Sequence, residues 1–160
     1  MDEWFTPPEW VDRARNAMGT IDLDPASCEV AQQTVRASKW YDKAVNGLRH
    51  PWAGNVWLNP PYSRGTIDRF VDKLVFELDA IEQGIVLTDN RTDTDWAQDL
   101  LYAADAVAFT RGRIRFYNAH GIIPGSPQNG SAFFYFGKRV AAFRAAFSRS
   151  CTVFDRARRR

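Results

Sequence analysis

The chain has 160 residues, 45% of them hydrophobic and six of them tryptophan, enough for one domain with a full core. Its 21 Lys and Arg against 19 Asp and Glu give a formal charge of +2, which excludes a uniformly basic surface. Cys28 and Cys151 lack Cys-x-x-Cys spacing, and His50 and His120 stand far apart, so a disulfide framework and a clustered zinc site are excluded.

No apolar stretch is long enough to span a membrane. Met1-Asp2-Glu3-Trp4 lacks the basic and apolar regions of a signal peptide, so a reducing cytoplasmic setting is expected.

Thr6-Pro7-Pro8-Glu9 reads as a helix start, with Thr6 as N-cap and Glu9 completing a capping box. Trp10, Val11, Ala14, Ala17 and Met18 follow at helical spacing, and Gly19 stops the helix. Residues 20–23 read as a short strand ended by Asp24-Pro25-Ala26-Ser27, and a helix runs from Cys28 to about Ala37. Such a strand–turn–helix unit places a ligand at the carboxyl end of its strand, where an acidic residue can hold a cationic or hydroxyl group. It is equally a capped helix start, since no Gly-rich loop is present. Residues 39–41 form a further short strand with Asp42 at its end, and Asn46-Gly47-Leu48 is a turn. Asp42 and Asn46 either read a cofactor's ribose or base, or serve the turn.

Residues 55–58 read as a buried strand that stops at Asn59-Pro60-Pro61-Tyr62. Neither proline has an N–H to give, and each holds the residue before it extended. The result is a stiff, acceptor-rich corner with a carboxamide at one end and an aromatic ring at the other. The Asn59 side-chain oxygen and the Pro60 carbonyl can both accept from an exocyclic amine, while Tyr62 stacks on the ring that carries it. A base must leave its duplex to reach such a corner.

Ile67, Phe70, Val71, Leu74, Val75, Leu78 and Ile81 share one helical face, with Asp68, Arg69, Asp72, Lys73 and Glu77 opposite. Gly84 is expected to end this helix, and residues 85–88 to form the next strand. Residues 89–95 are a polar loop, either a substrate loop or a solvated connection, before a helix from about Trp96 to Ala103. Residues 105–109 read as a strand, and 114–117 alternate like another. Residues 118–131 read as a long loop, and Arg111, Arg113 and Arg115 beside Phe116 and Tyr117 suit phosphates and bases. A very apolar strand at 132–136, an amphipathic helix from Lys138 to Phe147 and an edge strand at 152–154 complete the pattern. Arg156-Ala157-Arg158-Arg159-Arg160 is a basic tail. Alternating strands and helices predict a single-domain α/β fold with a mainly parallel sheet and an antiparallel C-terminal end.

Thr6-Pro7-Pro8, Asp24-Pro25-Ala26-Ser27 and Asn59-Pro60-Pro61-Tyr62, in this order, resemble the phage-type Dam DNA adenine-N6 methyltransferases. More broadly they resemble Rossmann-like amino-methyltransferases that use S-adenosyl-L-methionine. Asn46-Gly47-Leu48, residues 92–96 and Gly112-Arg113-Ile114-Arg115-Phe116 are also similar to that family, so the likeness spans residues 4 to about 137.

The resemblance implies a methyltransferase domain over residues 1–155 with a tail at 156–160. It implies cofactor contacts from Thr6, Pro7, Asp24, Pro25, Ala26, Asp42 and Asn46, and no metal. It implies a catalytic corner of Asn59, Pro60, Pro61 and Tyr62 that holds an adenine flipped out of double-stranded DNA. A monomer or homodimer, encoded by a phage or prophage and working in the bacterial cytoplasm, is the implied setting. The chain departs from many methyltransferases in lacking glycines after Asp24-Pro25-Ala26, and in opening the corner with Asn59 where many relatives have Asp. Cytosine N4, an RNA base or a protein glutamine amide would fit the same corner. A catalytically inactive nucleic-acid-binding protein would keep the same fold. A dehydrogenase is disfavoured by the absent Gly-x-Gly-x-x-Gly.

Overall fold

The computed structural model describes residues 4–125 and 127–156. Among the described residues, five α-helices, α1 (Pro8–Met18), α2 (Glu29–Val35), α3 (Thr66–Glu77), α4 (Asp95–Ala103) and α5 (Val140–Phe147), and a short 3-10 turn at Gly47–Arg49 surround one seven-stranded sheet. Its strands are β1 (Leu23–Asp24), β2 (Lys39–Trp40), β3 (Gly54–Leu58), β4 (Ile81–Asp89), β5 (Ala106–Thr110), β8 (Ser131–Phe136) and β9 (Cys151–Asp155). A two-stranded hairpin, β6 (Tyr117–Asn118) with β7 (Gly121–Ile122), stands apart from it.

The sheet order is β2-β1-β3-β4-β8-β5-β9. The first four strands pair in parallel, whereas β8 pairs antiparallel with β4 and β5, and β9 antiparallel with β5. The expected mainly parallel sheet with an antiparallel end is therefore present.

Side-chain alternation divides the core. Trp57, Ile85, Leu87, Phe133 and Tyr135 face α1 and α5, while Val56, Leu58, Val86, Phe134 and Phe136 face α3 and α4. All six residues of β8 are buried, as a strand covered on both faces requires. From β1 the chain steps outward to β2, then returns past β1 to β3 and moves on to β4. The direction of progress reverses between β1 and β3, and the crevice beyond their carboxyl ends is where α/β folds place ligands.

Several boundaries differ from expectation. α3 stops at Glu77, and Ile81 and Gly84 already belong to β4. Leu78 and Ile81 extend the helical spacing only because both pack on the same core cluster as α3. Ile114 and Phe116 are buried, as their alternation predicts, but residues 114–116 form no strand. Both edges of β5 are taken by β8 and β9, so this segment has no ladder to join. The expected loop at 118–131 begins with the small hairpin. Residues 157–160 of the basic tail and residues 1–3 lie outside the described residues.

Candidate active site

Thr6 is not the N-cap of α1. Pro7 occupies that position, without any side-chain cap bond. Thr6 is instead buried, and its Oγ1 accepts from Asn59 Nδ2 at 3.3 Å. The same nitrogen donates to the Trp4 carbonyl at 3.2 Å. A backbone carbonyl only accepts, so this contact fixes which way the Asn59 amide lies. The Asn59 oxygen then points away from both partners, and it is buried with no hydrogen bond among the described residues. No described residue donates to the Pro60 carbonyl either. A buried acceptor without a donor, as the Asn59 oxygen is, is unusual, because leaving one unpaired costs about 1–3 kcal/mol.

Tyr62 closes the corner on its other side. Its hydroxyl donates to the Leu87 carbonyl of β4 at 3.4 Å, while the residue as a whole is 37% exposed. Desolvation of the hydroxyl, then the negative charge of Asp89, push its ionisation above the ordinary tyrosine range. The phenol therefore stays protonated and is no base. It anchors a ring whose remaining surface faces outward.

Strand register joins the corner to the Asp24 loop. Leu23 pairs with Val56, so β1 and β3 run side by side in parallel and the chain beyond Asp24 and the chain beyond Leu58 leave the same edge of the sheet. Asp24 is 2% exposed. Its Oδ2 accepts from Gln32 Nε2 at 2.9 Å, and its Oδ1 from the Ala26 amide at 3.4 Å. Burial pushes its carboxyl up to about 7, against the lowering effect of hydrogen bonds from Ser27, Ala26 and Gln32. Gln32 also donates to Ser27 Oγ at 2.7 Å and accepts from the Ala37 amide at 2.9 Å. It organises the whole turn, yet its sequence position in a helix gave no sign of this.

The turn lacks its own glycines, and another loop supplies the close approach. A Cβ at Gly47 would collide with the Pro25 carbonyl oxygen, so the Asn46-Gly47 turn packs directly on the backbone of the Asp24 loop. Asn46 takes a left-handed conformation at φ 62°, and its side chain accepts from the Leu48 amide at 3.2 Å. Asp42 Oδ1 accepts from the Val45 amide at 2.8 Å. Both residues thus serve their turn, and the turn lies at the crevice through Gly47 and through the Tyr41 amide, which donates to the Asp24 carbonyl at 3.0 Å. Pro7 and Pro25 are buried, and Ala26 is half-buried.

Asp89, at the end of β4, was not singled out by sequence. Its Oδ2 accepts from Arg91 Nε at 3.0 Å, and its Oδ1 is buried without a partner among the described residues. Trp57 and Leu87 lie on the α1 face of the sheet, so Asn59 and Asp89, each two residues further along extended chain, emerge on that face too. Tyr62 is tied to the Asp89 side of the edge, through its bond to the Leu87 carbonyl and the charge of Asp89. Asp89 is visible as a site residue only through strand pairing.

The chain matches a family model described as DNA N-6-adenine-methyltransferase (Dam) over residues 1–154. It is 35% identical over 97 residues to a protein of Escherichia phage T1 named DNA N-6-adenine-methyltransferase. That stretch covers 59% of this chain and 39% of the phage protein, so the chain spans about two-fifths of the relative's length. A dimethyladenosine transferase from Plasmodium falciparum aligns in structure with a TM-score of 0.47 at 10% identity, covering 92% of this chain and 71% of that one.

Proposed function

The chain belongs to the Dam DNA N-6-adenine-methyltransferase family, and from that premise we propose that it methylates the N6 amine of adenine in DNA, the adenine being flipped into the Asn59-Pro60-Pro61-Tyr62 corner. The observation that carries this reading is the buried, donorless Asn59 oxygen, locked outward by Trp4 and Thr6. In this reading the Pro60 carbonyl, on the next residue, is the second acceptor. Together they form a receptor for the two hydrogens of one planar amine.

An amine conjugated into a purine is a poor nucleophile. Two acceptors that draw its hydrogens out of the ring plane free the nitrogen lone pair. Tyr62 supports the ring face, and its neutral hydroxyl takes no proton. Asn59 and Pro60 act by orientation alone, and neither forms a covalent bond to the base.

The donor set of the neighbouring crevice fits S-adenosyl-L-methionine. Acidic Asp24 and Asp42 suit its positive charge and its hydroxyls, and the half-buried Ala26 leaves room for close approach. Thr6, Pro7, Asp24, Pro25, Ala26, Asp42 and Asn46 would hold it. When bound, it supplies an electrophilic methyl group on a sulfonium. Double-stranded DNA is the partner, with residues 1–155 as the methyltransferase domain and 156–160 as a tail adding non-specific phosphate contacts. A monomer or homodimer acts in the cytoplasm of a bacterial host, encoded by a phage or prophage.

Titration calorimetry with S-adenosyl-L-methionine, on wild type and Asn59→Ala, tests this division of labour. The wild type and the variant bind the cofactor alike, whereas methyl transfer to unmethylated DNA falls about 100-fold or more in the variant. A wild-type chain that binds DNA but takes up no cofactor would favour a nucleic-acid-binding protein that only keeps the methyltransferase shape.

A further inference from the structure

Arg91 is held more firmly than an exposed arginine needs to be. Its Nε donates to Asp89 Oδ2 at 3.0 Å, and its guanidinium carbon lies 5.9 Å from the centre of the Trp96 ring. Its backbone carbonyl accepts from the Thr94 amide at 3.3 Å and from Thr94 Oγ1 at 2.9 Å, so the N-cap of α4 fixes the main chain as well. The side chain is nevertheless 45% exposed, and neither terminal nitrogen donates to a described residue. An exposed ion pair of this kind contributes about 0–1 kcal/mol to stability. Fold stability alone therefore does not account for a side chain fixed at Nε, at its face and at its backbone.

Its position relates it to the corner. Asp89 ends β4 beside Tyr62, whose hydroxyl feels the charges of both Asp89 and Arg91. A second cation converges on the same rim. Arg113 Nη1 and Asn90 Nδ2 both crowd the space a Cβ would take at Gly130, while the Asn90 amide donates to the Gly130 carbonyl at 2.9 Å. Loops 89–94 and 111–130 thus meet at the carboxyl edge of the sheet, next to the base-holding residues. With Nε spent on Asp89, the two terminal nitrogens of Arg91 keep a pair of parallel N–H groups to donate. That fork matches the spacing of two oxygens on one phosphate.

Resting on the DNA reading, we propose that Arg91 is a phosphate clamp. Asp89 and Trp96 preset it to grip the DNA backbone beside the extruded base, and Arg113 supports it from the facing loop. A clamp on the backbone adjoining the flipped nucleotide fixes where the base swings out without reading its neighbours.

The test is the salt dependence of duplex binding, measured by fluorescence anisotropy on several unrelated sequences, for wild type, Arg91→Gln and Arg91→Lys. A phosphate contact lowers the slope of log affinity against log salt by about 0.9 in Arg91→Gln. Affinity falls about tenfold, and equally on every sequence. Arg91→Lys keeps the wild-type slope but binds more weakly, because an ammonium cannot hold Asp89 and a phosphate fork together. It also carries the test should Arg91→Gln fail to fold. An unchanged slope in Arg91→Gln overturns the clamp, and so does a loss confined to particular sequences, which would mean base-edge reading. Arg91→Lys binding as tightly as wild type overturns the fork geometry. A wild-type chain whose duplex affinity does not respond to salt contradicts the DNA reading itself, and the clamp falls with it.

Discussion

Asn59 satisfies its nitrogen within the protein and leaves its oxygen for something else. This makes Asp a poor substitute here, although both side chains can accept from an amine. In Asn59→Asp a carboxylate oxygen would face the Trp4 carbonyl, and both donated bonds would be lost. A destabilisation of about 1–3 kcal/mol is expected, read by denaturant unfolding. An unchanged midpoint would contradict the orientation assigned to the amide. Asp24 gives a prediction in pH. Its folded carboxyl titrates near 7, above the ordinary 3.8, so it holds a proton that the unfolded chain releases. Between these values the folded state binds more protons, and the stability Asp24 contributes falls as pH rises from about 4 to about 7. A cationic ligand prefers the ionised form. Cofactor affinity should therefore climb from pH 6 to pH 8 in wild type and stay flat in Asp24→Asn, as calorimetry would show. Asn59 was legible in the sequence because a double proline forces its geometry. The role of Thr6 was not, since Thr-Pro-Pro-Glu spells a helix cap equally well. Only the tertiary contact with Asn59 decides between them.

At the scale of elements, two loops that look unrelated in sequence form one wall. Gly47 lets the Asn46 turn lie on the Pro25 backbone, so Gly47→Ala should push the turn and the Asp24 loop apart. A loss of about 1–3 kcal/mol in stability, together with weaker cofactor binding, is expected from thermal unfolding and calorimetry. Wild-type stability and cofactor affinity in that variant would show that the wall is not a unit. The far end of the sheet is closed by a buried polar network. Met18, the last residue of α1, offers its carbonyl to Asn55 Nδ2, Gln83 Nε2 and Arg139 Nη1 at 3.2, 3.0 and 3.0 Å. Tyr135 donates to Gln83 Oε1 and accepts from the Arg139 amide, both at 2.8 Å. The buried face of helix α1 was legible from spacing, whereas its start was not, since Pro7 holds the N-cap position expected of Thr6. Its C-terminal anchoring was not, because the partners lie 37, 65 and 121 residues away. The misplaced end of α3 has a similar cause: Ile81 faces the same core from a strand that the helical rhythm had claimed.

For the whole molecule, strand order does what no single motif can. It brings the ends of β1, β3 and β4 to one edge, so that Asp24, Asn59 and Asp89 border one crevice. The alternation of strands and helices predicted this class of sheet, but the insertion of β8 between β4 and β5 is a long-range choice with no local signature. Helices cover both faces of the sheet, and the loops that meet through Asn90, Arg113 and Gly130 lie at that edge. If these loops read the target under the proposed function, this domain acting as a monomer gives modest sequence selectivity when methylated sites on genomic DNA are mapped. A long, stringent site read by a proven monomer would contradict it. The central claim is that the Asn59 corner holds an adenine amine. Its most direct test is to incubate the protein with labelled S-adenosyl-L-methionine and unmethylated DNA, digest the product and identify the labelled nucleoside, with Asn59→Ala alongside. The account predicts label in N6-methyldeoxyadenosine, lost in the variant. Label in cytosine, or undiminished label in the variant, would contradict it.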